Sequence, residues 1–217
     1  MKIRIAMGGL LALATLPGLA VPPETDAEHP DNEQCAWVLD TLVSTSSLPL
    51  LVTSGIDPSS VRADIDRREG QRLIAQVSFP VTPDPETPGA GQLGWVQYDP
   101  DSGVLEDITT DPKKPEALDF DRRYVQLYAG CLQQKPMYSV IGKGRLTFYQ
   151  NPELTNPVPG VFILPDEPVR WLVAKESAAR VRYQSRDGRI YLGWVPASRL
   201  KVIDFKRSSA RRSWKNE

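Results

Sequence analysis

Residues able to make or break bonds are few in this chain. It has one histidine, His29, and two cysteines, Cys35 and Cys131. A Ser–His or Cys–His nucleophile needs its imidazole held within hydrogen-bond reach, and His29 stands in a polar, Pro-rich segment that offers nothing to hold it. One histidine and two cysteines cannot assemble a usual tetrahedral zinc set. No Gly-rich phosphate loop is present. Asp and Glu are numerous, yet nothing singles out a pair set apart for glycoside hydrolysis. Asp99, Asp101 and Gly103 match the opening of a calcium loop but lack its closing Glu, and Asp99-Pro100-Asp101-Ser102-Gly103 reads as a hairpin turn. Cofactors, metals and catalysis are therefore not expected.

Binding has better material. Phe148, Tyr149, Trp171, Tyr183, Tyr191 and Trp194 supply flat faces between positions 148 and 194. Arginines, Arg145, Arg170, Arg180 and Arg182 among them, are interleaved with these rings. Cation–π contact and carboxylate pairing together suit a peptide or an anionic wall polymer. Trp194 and alternate strand aromatics are expected in the core instead.

The elements that must position these residues begin with an export signal. Lys2 and Arg4 precede the apolar run Ile5 to Leu16, and Gly18-Leu19-Ala20 offers small residues for cleavage after residue 20. The run is short of the roughly 20 residues a bilayer span needs. A soluble periplasmic protein is expected, without stable membrane insertion and without nucleic acid as a partner. Export places the two thiols in an oxidising compartment, which favours Cys35–Cys131 pairing. Cys35, Val38, Leu39, Leu42 and Val43 recur at helical spacing, as do Tyr124, Leu127, Tyr128, Cys131 and Leu132. Asp119 or Asp121 can cap the second helix. A bridge would staple the two helices.

Near-neutral net charge conceals a division. Residues 21–135 carry 20 Asp and Glu against 9 Lys and Arg, whereas residues 136–217 carry 7 against 15. Two units follow: a flexible segment 21–33 and an α+β domain over 34–134, then an all-β domain over 137–204 and a basic tail over 205–217. The first unit reads as two helices on a small antiparallel sheet. Arg62 to Arg72 reads as a charged connector, and Leu73, Ala75, Val77 and Phe79 alternate as a half-buried strand. Pro80 to Gly91 reads as an exposed loop. Gln92 to Tyr98 and Val104 to Thr109 form a hairpin, and Gln133 to Pro136 is the joint between units.

In the second unit Arg145 to Tyr149 leads to Asn151-Pro152, and Gly160 precedes Val161-Phe162-Ile163. Val181-Arg182-Tyr183 follows, and Gly193-Trp194-Val195 with Leu200 closes the series. Order and spacing over 137–204 resemble the bacterial SH3-like family. The resemblance implies an SH3-like barrel with a ligand groove between its first long loop and the Val-Arg-Tyr strand. That places Tyr149 and Tyr183 at the groove, with Arg145 and Arg182 beside them. The first unit, through Leu93-Gly94-Trp95-Val96 and Asp121-Arg122-Arg123-Tyr124, is similar to small exported bacterial proteins of unassigned role, some of them immunity-like.

Three functions stay open. One is an exported, non-catalytic protein that engages a peptide or cell-wall material, its partner a protein or a peptidoglycan peptide. The second is a periplasmic immunity protein or inhibitor of a secreted toxin or lysozyme-like enzyme, which the acidic first half suits. The third is a wall hydrolase or its regulator.

Overall fold

The computed structural model describes residues 31–81 and 90–206. The expected signal, His29, most of the flexible segment, much of the Pro-rich loop and nearly all of the basic tail lie outside the described residues. The described residues are mixed α+β with two antiparallel sheets.

Helix α1, Asp31–Ser44, starts inside the segment expected to be flexible. Its stripe of Cys35, Val38, Leu39, Leu42 and Val43 is buried. A short α2, Pro49–Ser54, follows, and α3 spans Arg123–Leu132. The Asp121 carboxylate accepts from Arg123 N at 3.1 Å, so it is Asp121 that meets the first turn of α3. Leu127, Tyr128 and Cys131 of α3 are buried in the same core as α1. Cys35 and Cys131 are bridged, with Cα atoms 5.8 Å apart across 96 residues of sequence.

Five strands lie in chain order: β1 Arg62–Glu69, β2 Arg72–Ser78, β3 Gln92–Asp99, β4 Val104–Asp107 and β5 Glu116–Ala117. The stretch read as a charged connector is therefore strand β1 and the turn into β2. Its charges sit on an edge strand, where they discourage pairing with another sheet. Ala63 turns inward, and its N–H donates to Asp40 Oδ1 at 2.8 Å. The hairpin forms as expected: Asp99 Oδ1 accepts from Asp101 N at 2.9 Å and Ser102 N at 3.3 Å. Strand β4 ends at Asp107, short of Thr109.

Seven strands make the second sheet: β6 Tyr138–Val140, β7 Leu146–Tyr149, β8 Pro157–Ile163, β9 Pro168–Lys175, β10 Ala178–Gln184, β11 Ile190–Pro196 and β12 Leu200–Val202. Their order is β12-β6-β9-β10-β11-β7-β8. The sheet encloses Val140, Leu146, Phe148, Ile163, Val181 and Val195, but its pairings do not close a barrel. The end strands β12 and β8 are not paired with each other. Pro157 and Pro159 leave β8 two donors short, and β7 meets β11 at one registered pair, Trp194 with Tyr149. Gly193 lies where a Cβ would come 2.5 Å from Phe148 Cδ1. Gly193 and Val195 face inward, so alternation turns Trp194 outward, and it is half-buried rather than core.

The units are not divided where composition divides them. Residues 133–136 form a tight turn in which Lys135 N donates to Gly130 O at 2.8 Å. Met137 is buried in the first core, and Ile203 and Phe205 pack against it from the far end of the second unit. Phe205 stands 6.2 Å from the Trp37 ring, so the residue expected to open the tail belongs to the fold. Among the described residues, no helix is long and apolar enough to cross a membrane.

Candidate functional site

Helix α3 has a second face. Arg123 and Gln126 are three apart, hence neighbours on the helix surface, and both turn toward the second sheet. The Arg123 guanidinium holds Asp121 through Nε at 2.8 and 3.0 Å. It also pairs with Glu167, on the turn before β9. Glu167 Oε2 accepts from the Tyr183 hydroxyl at 2.8 Å and from Leu164 N at 2.9 Å. Gln126 donates to Pro168 O at 3.2 Å and accepts from Arg182 Nη1 at 2.9 Å. Arg122 N donates to Arg186 O at 3.1 Å. Beside that bond Gly188 has φ +88°, and a Cβ there would lie 2.8 Å from Arg122 Cδ.

The side chains of Asp121 and Glu167 are 4% and 9% exposed, so this junction is shielded from solvent screening. Hydrogen bonding to Asp121 holds the Arg123 pKa above its ordinary value, against the opposing effect of burial. Burial, then the bond to Glu167, pushes the Tyr183 hydroxyl up, so it stays a neutral donor. Burial, then Arg170, lowers Arg182.

Next to this junction a cleft of about 830 Å³ opens between the units, within the range of ligand sites. The first unit contributes the loop after α1 and the residues before α3. Thr45 Oγ1 accepts from Asp121 N at 3.2 Å and Ser47 Oγ accepts from Asp119 N at 3.0 Å, so these hydroxyls tie the two segments together. The second unit contributes β8 and the ends of β10 and β11. Tyr183 and Tyr191 stack with centroids 6.2 Å apart, and Phe162 is partly exposed to the cleft. A cation–π pair stands on each side: Arg122 Cζ is 5.3 Å from the Phe120 centroid, and Arg145 Cζ is 4.2 Å from that of Phe162.

The four residues expected at a groove are dispersed. Tyr183 lines the cleft, and Arg145 covers Phe162, which lines it. Arg182 is on the opposite face of β10, bonded to α3. Tyr149 follows the core residue Phe148, lies across from Trp194, and does not line the cleft. Sequence reasoning did not find Phe120, Arg122, Phe162 or Glu167. The one local signal was the polar pair Arg123 and Gln126 on a helix whose other face is apolar.

No family model matches the chain, and no curated protein or solved structure is similar to it.

Proposed function

We propose that the chain is an exported, non-catalytic binding protein of the bacterial envelope, which holds a peptide or a peptidoglycan stem in the cleft between an α+β unit and an SH3-like unit. The observation that carries this reading is the cleft itself: aromatic faces and guanidinium groups from both units, set beside a junction with every buried charge paired. A preformed site of this kind spends little of its binding energy on ordering. The SH3-like assignment draws support from where the motifs fall. Asn151-Pro152 follows β7, Gly160 lies in β8, Val181-Arg182-Tyr183 in β10, Gly193-Trp194-Val195 in β11, and Leu200 opens β12. The disulfide agrees with an oxidising compartment.

Retention of the purified protein on isolated peptidoglycan tests the reading. Saturable binding is expected, with a loss of about tenfold on Tyr191→Ala, since ring stacking contributes on the order of 1 kcal/mol or more. Binding that does not saturate, or that ignores Tyr191→Ala and Phe162→Ala alike, overturns it.

A second reading, an immunity protein or inhibitor, draws on the acidic composition of the first unit, in which Asp57, Asp101 and Glu116 are exposed. Charge of this sign speeds encounter with a basic toxin or lysozyme-like enzyme. Co-expression with such an enzyme gives rescue if this reading holds and none if it does not.

A further inference from the structure

We infer that the ligand of the cleft is an acidic peptide, with a carboxylate held between Arg122 and Arg186 and a neighbouring apolar side chain laid on Phe162 and Tyr191. This rests on the reading of the cleft as a peptide site, and names the chemistry the peptide must carry.

Charge decides the matter. Among the described residues that line the cleft, the cations are Arg122 and Arg186 and the acids are Asp119 and Asp187. Asp187 is already paired with Arg189 at 3.0 Å and takes the Ser185 hydroxyl. Arg122 and Arg186 have no carboxylate partner among the described residues; the Arg122 guanidinium lies over the Phe120 ring with its stem against Gly188, and Arg186 is exposed. Asp119 is exposed and offsets one of the two arginines, so the charge left over in the cleft is a single positive one, to which Arg145 adds another cation above Phe162. The two arginines come from different units, but the bond from Arg122 N to Arg186 O fixes their backbones together. Guanidinium forks suit carboxylate oxygens in geometry as well as charge.

A glycan fits less well. Sugar recognition needs several free hydroxyl and amide partners, and three of the hydroxyls here, those of Thr45, Tyr183 and Ser185, already donate within the protein. Thr45 Oγ1 donates to Leu42 O at 2.8 Å, and Ser185 Oγ bonds Asp187 and Arg189 O. What stays open to a ligand is chiefly flat apolar surface and a net positive charge.

Fluorescence anisotropy with two labelled hexapeptides tests this. One alternates Asp with Leu, the other Asn with Leu, and a labelled chitin oligosaccharide is measured beside them. The acidic peptide is expected to bind about tenfold tighter or more, the difference a charged hydrogen-bonded contact gives. Arg186→Gln should erase that difference, whereas Arg180→Gln, exposed and outside the cleft, should keep it. Tyr191→Ala should weaken both peptides equally. Circular dichroism and melting of Arg186→Gln confirm that the fold is kept. Equal affinity for the two peptides, or selectivity that survives Arg186→Gln, overturns the acidic-peptide inference and leaves the peptide site standing. Binding of the labelled chitin oligosaccharide with neither peptide bound overturns it in favour of a glycan. Failure to bind peptide, oligosaccharide and peptidoglycan overturns both the inference and the function it rests on.

Discussion

The first unit and the junction that joins it to the second are held by different balances of apolar and polar contact. Inside the first unit, α1 and α3 bury a run of Leu, Val and Tyr against five strands, and a covalent bridge ties the two helices. At the junction Met137, Ile203 and Phe205 give some apolar contact, and beside them stands a polar set: Arg123 with Asp121 and Glu167, Tyr183 with Glu167, and Gln126 with Arg182. Apolar burial is non-directional and scales with area, so it stabilises a unit without fixing its neighbour's angle. Ion pairs and hydrogen bonds are directional, so they fix the angle at which the second unit meets the first. The cleft depends on that angle, because its two sides come from different units.

Removing the bridge gives the largest effect. Cys35→Ser with Cys131→Ser frees a loop of 96 residues, a loss of roughly 4–5 kcal/mol on the loop-entropy model. The loss is expected in the first unit, measured as the shift in its urea midpoint, while the second core, which contains no residue of that loop, keeps its transition. A single transition that moves as a whole would show that the two units unfold as one, and would break the comparison.

Arg123→Ala comes next. It leaves Asp121 and Glu167 buried without their cation, a change of about 3 kcal/mol in systems of this kind. Both apolar cores are untouched, so the transitions of the two units should move further apart. Ligand affinity in the cleft should fall with it. Arg123→Lys keeps the charge but not the fork, and should recover part of the stability and less of the affinity. Retention of full affinity by Arg123→Ala would show that the junction does not set the cleft.

The third effect is a pH dependence carried by the first core. Burial pushes the Tyr128 hydroxyl up to about 12, and Tyr98, edge-on to it at 5.6 Å, shifts in the same direction. The unfolded phenol titrates near 10. Between these values the folded chain keeps a proton that the unfolded chain has lost, so the contribution is complete below about pH 10 and is lost as pH rises through about 12. For Tyr128 alone the fall amounts to about 2–3 kcal/mol. Tyr128→Phe should flatten the alkaline limb of a stability–pH curve. An unchanged limb would mean that another group governs it.

These contrasts also separate what the sequence disclosed from what it hid. Local periodicity was readable: the stripes of α1 and α3, the alternation of β2 and the Asp99 turn all act through near neighbours, and the disulfide followed from two such stripes. Strand β1 was hidden because Asp64, Asp66, Arg67 and Arg68 outweigh the inward Ala63 and Ile65 in a composition-based reading. The cleft was hidden for a different reason. Glu167 is 44 residues from Arg123, and Phe120 and Phe162 come from different units. No spacing rule connects them. The Val-Arg-Tyr motif lies on a strand that borders the cleft, yet of Arg182 and Tyr183 only Tyr183 lines it, since adjacent residues of a strand point to opposite faces. Closure of the second sheet depended on the pairing capacity of β8, which two prolines limit.

The smallest effect sharpens the comparison most directly, because it touches one unit alone. The Asp99 carboxylate accepts from Asp101 N and Ser102 N at the tip of the β3–β4 hairpin, and these bonds, Asp101 N first, hold its pKa below the ordinary value. Its stabilising part is therefore present above the unfolded carboxyl pKa near 4 and is lost as pH falls through the lower folded value. Asp99→Ala should cost about 1 kcal/mol at pH 7, the usual net worth of such hydrogen bonds. Asp99→Asn, which keeps an acceptor oxygen, should cost less, and at pH 2 the difference from the native protein should shrink. Acidic-peptide affinity should not change in either variant, because the hairpin lies outside the cleft. If affinity falls along with the urea midpoint, strain in the first sheet reaches the junction through α3, against which the hairpin rests where Gly103 meets Val125, and the separation between a unit's stability and the cleft's geometry no longer holds.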